Sequence, residues 1–316
     1  MPPPNFGNEA LLRLRRGLGV EPAWTAGGAP LWSFWGTLQR AWSSPVVTSD
    51  RPTWRLHLHT HLLEGFTGTA AQMSALSSCL PHASLAAVVP GTRPQSLELA
   101  STVDVHDGNV GSMVRLLAVA ARAQVAEARF LVSCSKTLAA VGLAASADTL
   151  AEMPASMLNP DQLVVRETSA RSSGRLWFRR GLSMCVETLL QQCNVRAVPT
   201  PWGVSATFFE GTRDVRSILE ISIDGGRPLL GTGISVSLWT PVRGGPDDAI
   251  SWNQREVAAT DPCHGFGGWW ALDGGLLVHR SFYPIGVCHQ DLVSQFLQAY
   301  ARRAQCANAL AAAEQE

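Results

Sequence analysis

The chain has 316 residues, 46% of them hydrophobic and 16% charged, with eleven tryptophans, which supplies a sizeable core and excludes wholesale disorder. Its 25 basic residues balance 25 acidic ones without a long run of either sign, which excludes nucleic-acid binding through a general basic field. All the basic residues but Lys136 are arginines, in keeping with the coding bias that also favours Ala, Gly and Pro.

Taken in chain order, residues 8–18 (NEALLRLRRGL) and 30–43 (PLWSFWGTLQRAWS) both have apolar residues at helical spacing, with Gly27, Gly28 and Pro30 between them. From Trp54 to Leu62 apolar and polar residues alternate, which predicts a half-buried strand. A helix is expected from Thr69, stopped by Pro81. Two strand-like runs follow, ASLAAVV and SLELASTVDV, joined by PGTRPQ; an alanine-rich amphipathic helix then covers Val110 to Ala128. Within VDVHDGN the residues Asp104, His106 and Asp107 lie close together, but Asp107, Gly108 and Asn109 are ordinary turn and cap residues ahead of that helix.

The second half repeats this order. Gly233 to Val242 alternates as a strand, and PDDAISWNQREVAAT is a helix whose Asp247 and Asp248 suit the positive end of the helix dipole. GGWWALDGGLLVHRSFYP is a hairpin turning at Asp273 and Gly274, and HQDLVSQFLQAYARRAQCANA is a closing helix. ARAQVAEA (Ala121 to Ala128) aligns with RRAQCANA (Arg302 to Ala309) at a shift of 302 − 121 = 181, identical at five of eight positions. Matched letters and matched element order together point to a duplication. Ahead of the second copy stand a helical stretch, RLWFRRGLSMCVETLLQQCNV, and two further strands, WGVSATFF and RSILEISI. The expected division is a first, degenerate copy over 1–128, a helical connector and flexible linker over 129–173 ending in SARSSGR, and a better-preserved copy over 174–316.

The seven cysteines are odd in number and form no C-x-x-C pair, which speaks against a zinc ribbon or a thioredoxin-like motif and suits a reducing compartment. MPPPNFGNEA has no basic region followed by an apolar run, and the most apolar window, Leu131 to Ala147, is interrupted by Ser133, Ser135 and Lys136. A soluble, cytoplasmic protein is expected, with no membrane insertion.

WRLHLHTHLLEG puts His57, His59 and His61 on one face of a strand and Leu56, Leu58, Thr60 and Leu62 on the other. Imidazoles at i and i+2 are able to chelate one metal, and HTHL resembles the opening of metal-dependent amidohydrolases. Such a hydrolase needs a barrel of alternating strands and helices with further histidines, yet no histidine lies between His106 and His264. The expectation is therefore a partly wet sheet face that carries histidines incidentally. No catalytic residue, no bound metal and no cofactor are expected; His57, His59 and His61 are the residues that would serve the alternative, a metal-dependent hydrolase. GFGG lacks a phosphate loop's lysine, and no G-x-S-x-G elbow is present.

Trp239, Trp252, Trp269, Trp270 and Phe282 cluster in the second copy, mainly as core, with exposed members as partner-docking anchors. Neighbouring Trp269 and Trp270 must point to opposite faces of one strand, so one of them covers a second layer. The second copy resembles the type III secretion chaperone-like fold and its YbjN-like relatives over about 130 residues from near Gly174 to Ala309. The resemblance is carried by a helical Asn253, by Gly268, Trp270, Leu272 and Asp273, and by Leu277 and Arg280 to Phe282. It implies an α+β fold of two copies, each an antiparallel sheet flanked by helices. It also implies a non-enzymatic chaperone or adaptor for a protein client or secretion substrate, with the copies pairing as an internal pseudo-dimer or the chain as a homodimer.

Overall fold

The computed structural model describes residues 6–20, 31–34, 37–47, 51–79, 85–133, 135–141, 195–201, 203–209, 215–227, 230–258, 266–272, 274–284 and 290–314. Its described residues form an α+β structure with two antiparallel sheets and six helices. In the first half, α1 (Phe6–Leu18) precedes β1 (Leu31–Phe34), β2 (Thr37–Pro45) and β3 (Trp54–Glu64). Then come α2 (Ala70–Cys79), β4 (Ala87–Pro90), β5 (Ser96–Val105), α3 (Val110–Ser133) and α4 (Lys136–Val141). The second half contains β6 (Arg196–Thr200), β7 (Gly203–Phe209), β8 (Arg216–Arg227) and β9 (Gly231–Arg243). It closes with α5 (Pro246–Ala258), β10 (Gly268–Ala271), β11 (Leu276–Pro284) and α6 (Gln290–Ala313).

The sheets run β1-β2-β3-β5-β4 and β10-β11-β9-β8-β7-β6. Read inward from opposite ends, β1, β2, β3, β5 and β4 match β7, β8, β9, β11 and β10. In both halves a helix separates the third strand from the short edge strand, and a 24-residue helix follows the fifth. The element order inferred from the sequence is thus present in space. β6 has no counterpart in the first sheet; it is exposed along its whole length.

Two sequence expectations give way in the first half. Residues 30–43 do not form a helix: they supply β1 and β2, paired Leu31 with Arg40 through Phe34 with Thr37. The run of Leu, Trp and Phe fits either period, and β2 takes the strand because it completes the ladder along β3, from Gln39–Thr60 to Pro45–Trp54. The first copy therefore has the strands that it lacked on sequence reading. The helix expected to end at Ala128 continues to Ser133, and Leu131, with Leu138 of α4, buries beside Ala128. The helical stretch at 175–195 and SARSSGR lie outside the described residues, apart from Val195.

Leucines on one face of β3, Leu56 and Leu58, are fully buried against α1 and α3, each such side chain contributing about 1.5–3 kcal/mol. Between them and the helix runs a buried polar chain. Trp32 donates to Gln39 (3.2 Å), Gln39 to Thr60 (2.8 Å) and to the Ala121 carbonyl (2.9 Å). Thr60 donates to Gln124 (2.6 Å), Gln124 to Ser101 (2.8 Å), and Ser101 to the Leu85 carbonyl. Every group is paired, so the chain fixes where α3 sits on the sheet. A register shift between His61 and Leu63 lets consecutive Leu62 and Leu63 both bury.

The two halves meet at the short edge strands β4 and β10, with α5 packed on both. Edge strands carry unpaired backbone groups, and a buried asparagine serves them here. Asn253 of α5 accepts from the Trp269 amide (2.6 Å) and donates to the Trp269 carbonyl (3.3 Å) and, across the seam, to the Val88 carbonyl (3.1 Å). Gly268 lets the strands approach: a Cβ there would stand 2.8 Å from Ala87 Cα. Trp270 leaves its own half and buries among Leu62, Leu76 and Leu97 of the first, while Trp269 faces its own core. The main apolar cluster is continuous from Leu14 and Leu116 to Leu238 and Tyr300.

Candidate functional site

Pleating puts Arg55, His57, His59 and His61 of β3 on one face, beside Arg40 and Trp42 of β2 and Glu98, Thr102 and Asp104 of β5. This face is not wet, contrary to the sequence expectation: the three histidines are 8%, 5% and 5% exposed. Trp42, half-buried, lies flat on His57 at 4.7 Å with an interplanar angle of 4°, and the Arg40 guanidinium sits 4.9 Å from the Trp42 ring. Towards β4 the roof comes from the other half, where Val257 of α5 packs on Ala87, Val89 and Ala100.

Glu98 is the hub of this face. Fully buried, it receives Arg40 Nη2 and His59 Nδ1, both at 2.7 Å, on one oxygen and His61 Nε2 at 3.2 Å on the other. Burial alone would raise its pKa, but hydrogen bonds from both histidines and the Arg40 charge outweigh burial and hold the carboxyl well below the usual range. Burial pushes the His59 pKa down, only partly offset by Glu98. His59 is therefore a neutral donor to the carboxylate through Nδ1, and His61 meets its other oxygen through Nε2. His57 instead meets the Ser44 hydroxyl at 3.0 Å. Among the described residues no three His, Cys, Asp or Glu side chains are arranged to hold a metal ion. The arrangement neutralises charges and ties three strands together. Glu98 was within reach of sequence reasoning as the one carboxylate flanked by leucines in SLELASTVDV, but pairing it with the histidines required the register.

A second buried network fills the other half. Arg303 of α6 grips Glu256 of α5 with one guanidinium edge, through Nε (2.9 Å) and Nη2 (2.8 Å), and Trp269 donates to the same carboxylate at 2.6 Å. His279, Tyr300 and Ser281 share hydrogen bonds of 2.8 Å centred on the Tyr300 hydroxyl. Burial, with help from the Arg303 charge, pushes His279 well down, and burial pushes Tyr300 well up. The network anchors the seam helix α5 to its own half. Its sequence signal was the shared arginine of the repeated helix motif, since 303 − 122 = 181. In the first half the equivalent Arg122 donates to the Gly17 carbonyl at 2.7 Å.

Of the five aromatics expected to contain docking anchors, Trp269, Trp270 and Phe282 are buried. Trp252 is half-buried, 4.7 Å from the Trp269 ring. Trp239 is half-buried on the outer face of the second sheet, donating to Glu220 at 2.8 Å with Arg280 5.6 Å from its ring. Asp104, His106 and Asp107 do not converge on a reactive centre. Asp104 is bound by Arg55 (2.8 Å), Asp107 accepts from the Gly108 amide (2.8 Å), and Asn109 accepts from the His106 amide (2.9 Å) as α3 begins.

Between the halves lies a cleft of about 290 Å³. The first half contributes Arg51, Asp104, Asn109 and Met113; the second contributes Phe266, Tyr283, Phe296, Arg302 and Arg303. Tyr283 and Phe296 stack at 4.7 Å to form part of its apolar wall. Neither half alone makes this cavity. Among the described residues no helix is long and apolar enough to cross a membrane. No family model matches the chain, and neither a curated protein nor a solved structure is significantly similar to it.

Proposed function

We propose that the chain is a non-enzymatic protein-binding module, a chaperone or adaptor for a protein client, in which two chaperone-like copies act as an internal pseudo-dimer. One observation carries this reading: two similarly ordered sheets meet along the edge strands β4 and β10, bridged by Asn253, and the two halves together line a cleft. A preformed cavity with apolar walls and a polar mouth suits an extended segment of another protein. The half-buried Trp239 on the outer sheet face adds a second contact point. The resemblance to type III secretion chaperone-like and YbjN-like proteins agrees with this reading, and a secretion substrate is one class of client it would include.

The competing reading is a metal-dependent hydrolase on His57, His59 and His61. It has the three imidazoles on one strand face, but His59 and His61 each turn a nitrogen to Glu98. The test uses untagged protein. The binding reading predicts that the chain co-elutes with a reduced, permanently unfolded model protein and not with its native form, and that elemental analysis finds no stoichiometric metal. A stoichiometric zinc ion lost in the His59→Ala variant, with no co-elution, would establish the hydrolase reading instead.

A further inference from the structure

The lining of the inter-copy cleft separates into polar groups already engaged within the fold and two that are not. Asp104 is held by Arg55 at 2.8 Å, Arg303 holds Glu256 at 2.8 Å, and His106 Nδ1 accepts from the Gly108 amide at 3.0 Å. Arg51 is engaged within the chain as well. Arg302, exposed on α6, is the lining charge that has no partner among the described residues. On the sheet side Thr102 is 1% exposed, and its hydroxyl likewise has no partner among the described residues. The apolar wall is made by Met113, Phe266 and the stacked Tyr283 and Phe296. An apolar cavity of about 150 Å³ takes up one benzene molecule. At about 290 Å³ this cleft therefore suits one large side chain with its own backbone rather than a run of residues.

We infer that this cleft is the binding site for the free C-terminus of the client, where the last residue is large and apolar. One unengaged cation beside one apolar wall calls for one carboxylate next to one apolar side chain, and a C-terminal residue carries both on the same Cα. The α-carboxylate pairs with the Arg302 guanidinium while the side chain packs against Phe266, Tyr283 and Phe296. The Thr102 hydroxyl serves the last peptide group. A chain that ends in the cleft enters it once, whereas an internal segment has to enter and leave a space of one-residue size. The inference rests on the protein-binding reading and adds the part of the client that is recognised.

The test is fluorescence anisotropy on the full chain with short Gly-Ser peptides that end in Phe and carry fluorescein at the N-terminus. The peptide with a free C-terminal carboxylate is expected to bind. Its C-terminal amide should bind at least about tenfold more weakly, and so should a free acid ending in Ser. Arg302→Gln should weaken the free acid to about the level of the amide and leave the amide unchanged. Thr102→Val, of nearly the same shape, should weaken both alike, and Gln305→Ala, exposed on α6 outside the cleft, should change neither. Equal binding of acid and amide, or wild-type affinity for the acid in Arg302→Gln, would overturn the assignment. If no peptide binds while unfolded protein still co-elutes with the chain, the cleft assignment falls and the protein-binding reading stands. If neither binds, both fall.

Discussion

Replacing Asn253 with Ala is expected to lower the thermal stability of the chain more than any other single polar substitution in the seam. The Asn253 side chain is 1% exposed and serves three backbone groups, the Trp269 amide, the Trp269 carbonyl and the Val88 carbonyl. Water does not reach these groups, so removing the side-chain amide leaves them unpaired at a cost of about 1–3 kcal/mol each where no neighbour relaxes to replace it. A net loss of about 3–5 kcal/mol corresponds to a fall in Tm of roughly 5–8 °C for a chain of this size. Asn253→Asp should be no better: it retains an acceptor for the Trp269 amide but sets a carboxylate against two carbonyl oxygens. Circular dichroism melts of both variants measure this directly. A fall of less than about 1 °C in Asn253→Ala would mean that the seam does not depend on this bridge.

Acidification should destabilise the chain well before ordinary carboxylates titrate. His59 and His279 are held neutral in the fold, both with pKa values lowered by burial from 6.5. On unfolding they regain the ordinary value and take up protons, so below about pH 6.5 the unfolded chain binds more protons than the folded one. Stability therefore rises with pH through this window, by up to about 1.4 kcal/mol per pH unit for each histidine. Glu98 works in the same direction at lower pH. Its folded pKa is depressed, so the stability it contributes is present above its ordinary value of 4.5 and is lost as pH falls through and below that value. Urea midpoints measured from pH 7.5 to 4 should fall steadily with acid, and a flat profile between pH 7 and 5 would contradict the assignment. Glu98→Gln should cost about 3 kcal/mol at neutral pH, because it leaves the Arg40 charge beside two buried imidazoles without its counterion.

Much of the second half was legible from periodicity alone. Alternation around VSLWTPV, the acidic start of α5 and the glycine-rich turn before β11 are local signals, and each element lies where the pattern places it. Gly274 and Gly275 both take positive φ values, of 88° and 75°, which a turn here requires of glycine. The β1–β2 pair was not legible, because its aromatic-rich run satisfies both periods and only the ladder along β3 decides. The burial of the histidines was hidden for a different reason. Which face of a strand meets water depends on what covers it, and here the cover is Trp42 on a misread strand and α5 from the far half of the chain. Asn253 stood out in the sequence as part of a motif, but its bond to Val88 spans 165 residues and no local pattern encodes it.

The measurement that tests the central claim most directly is light scattering from an aggregation-prone client, mixed with the wild-type chain or with Asn253→Ala at a temperature where both remain folded. If two fused copies form one binding body, the wild type suppresses scattering near equimolar ratio and the seam variant protects much less. Equal protection by both would show that the junction is not the binding body. No protection by either would contradict a chaperone role altogether.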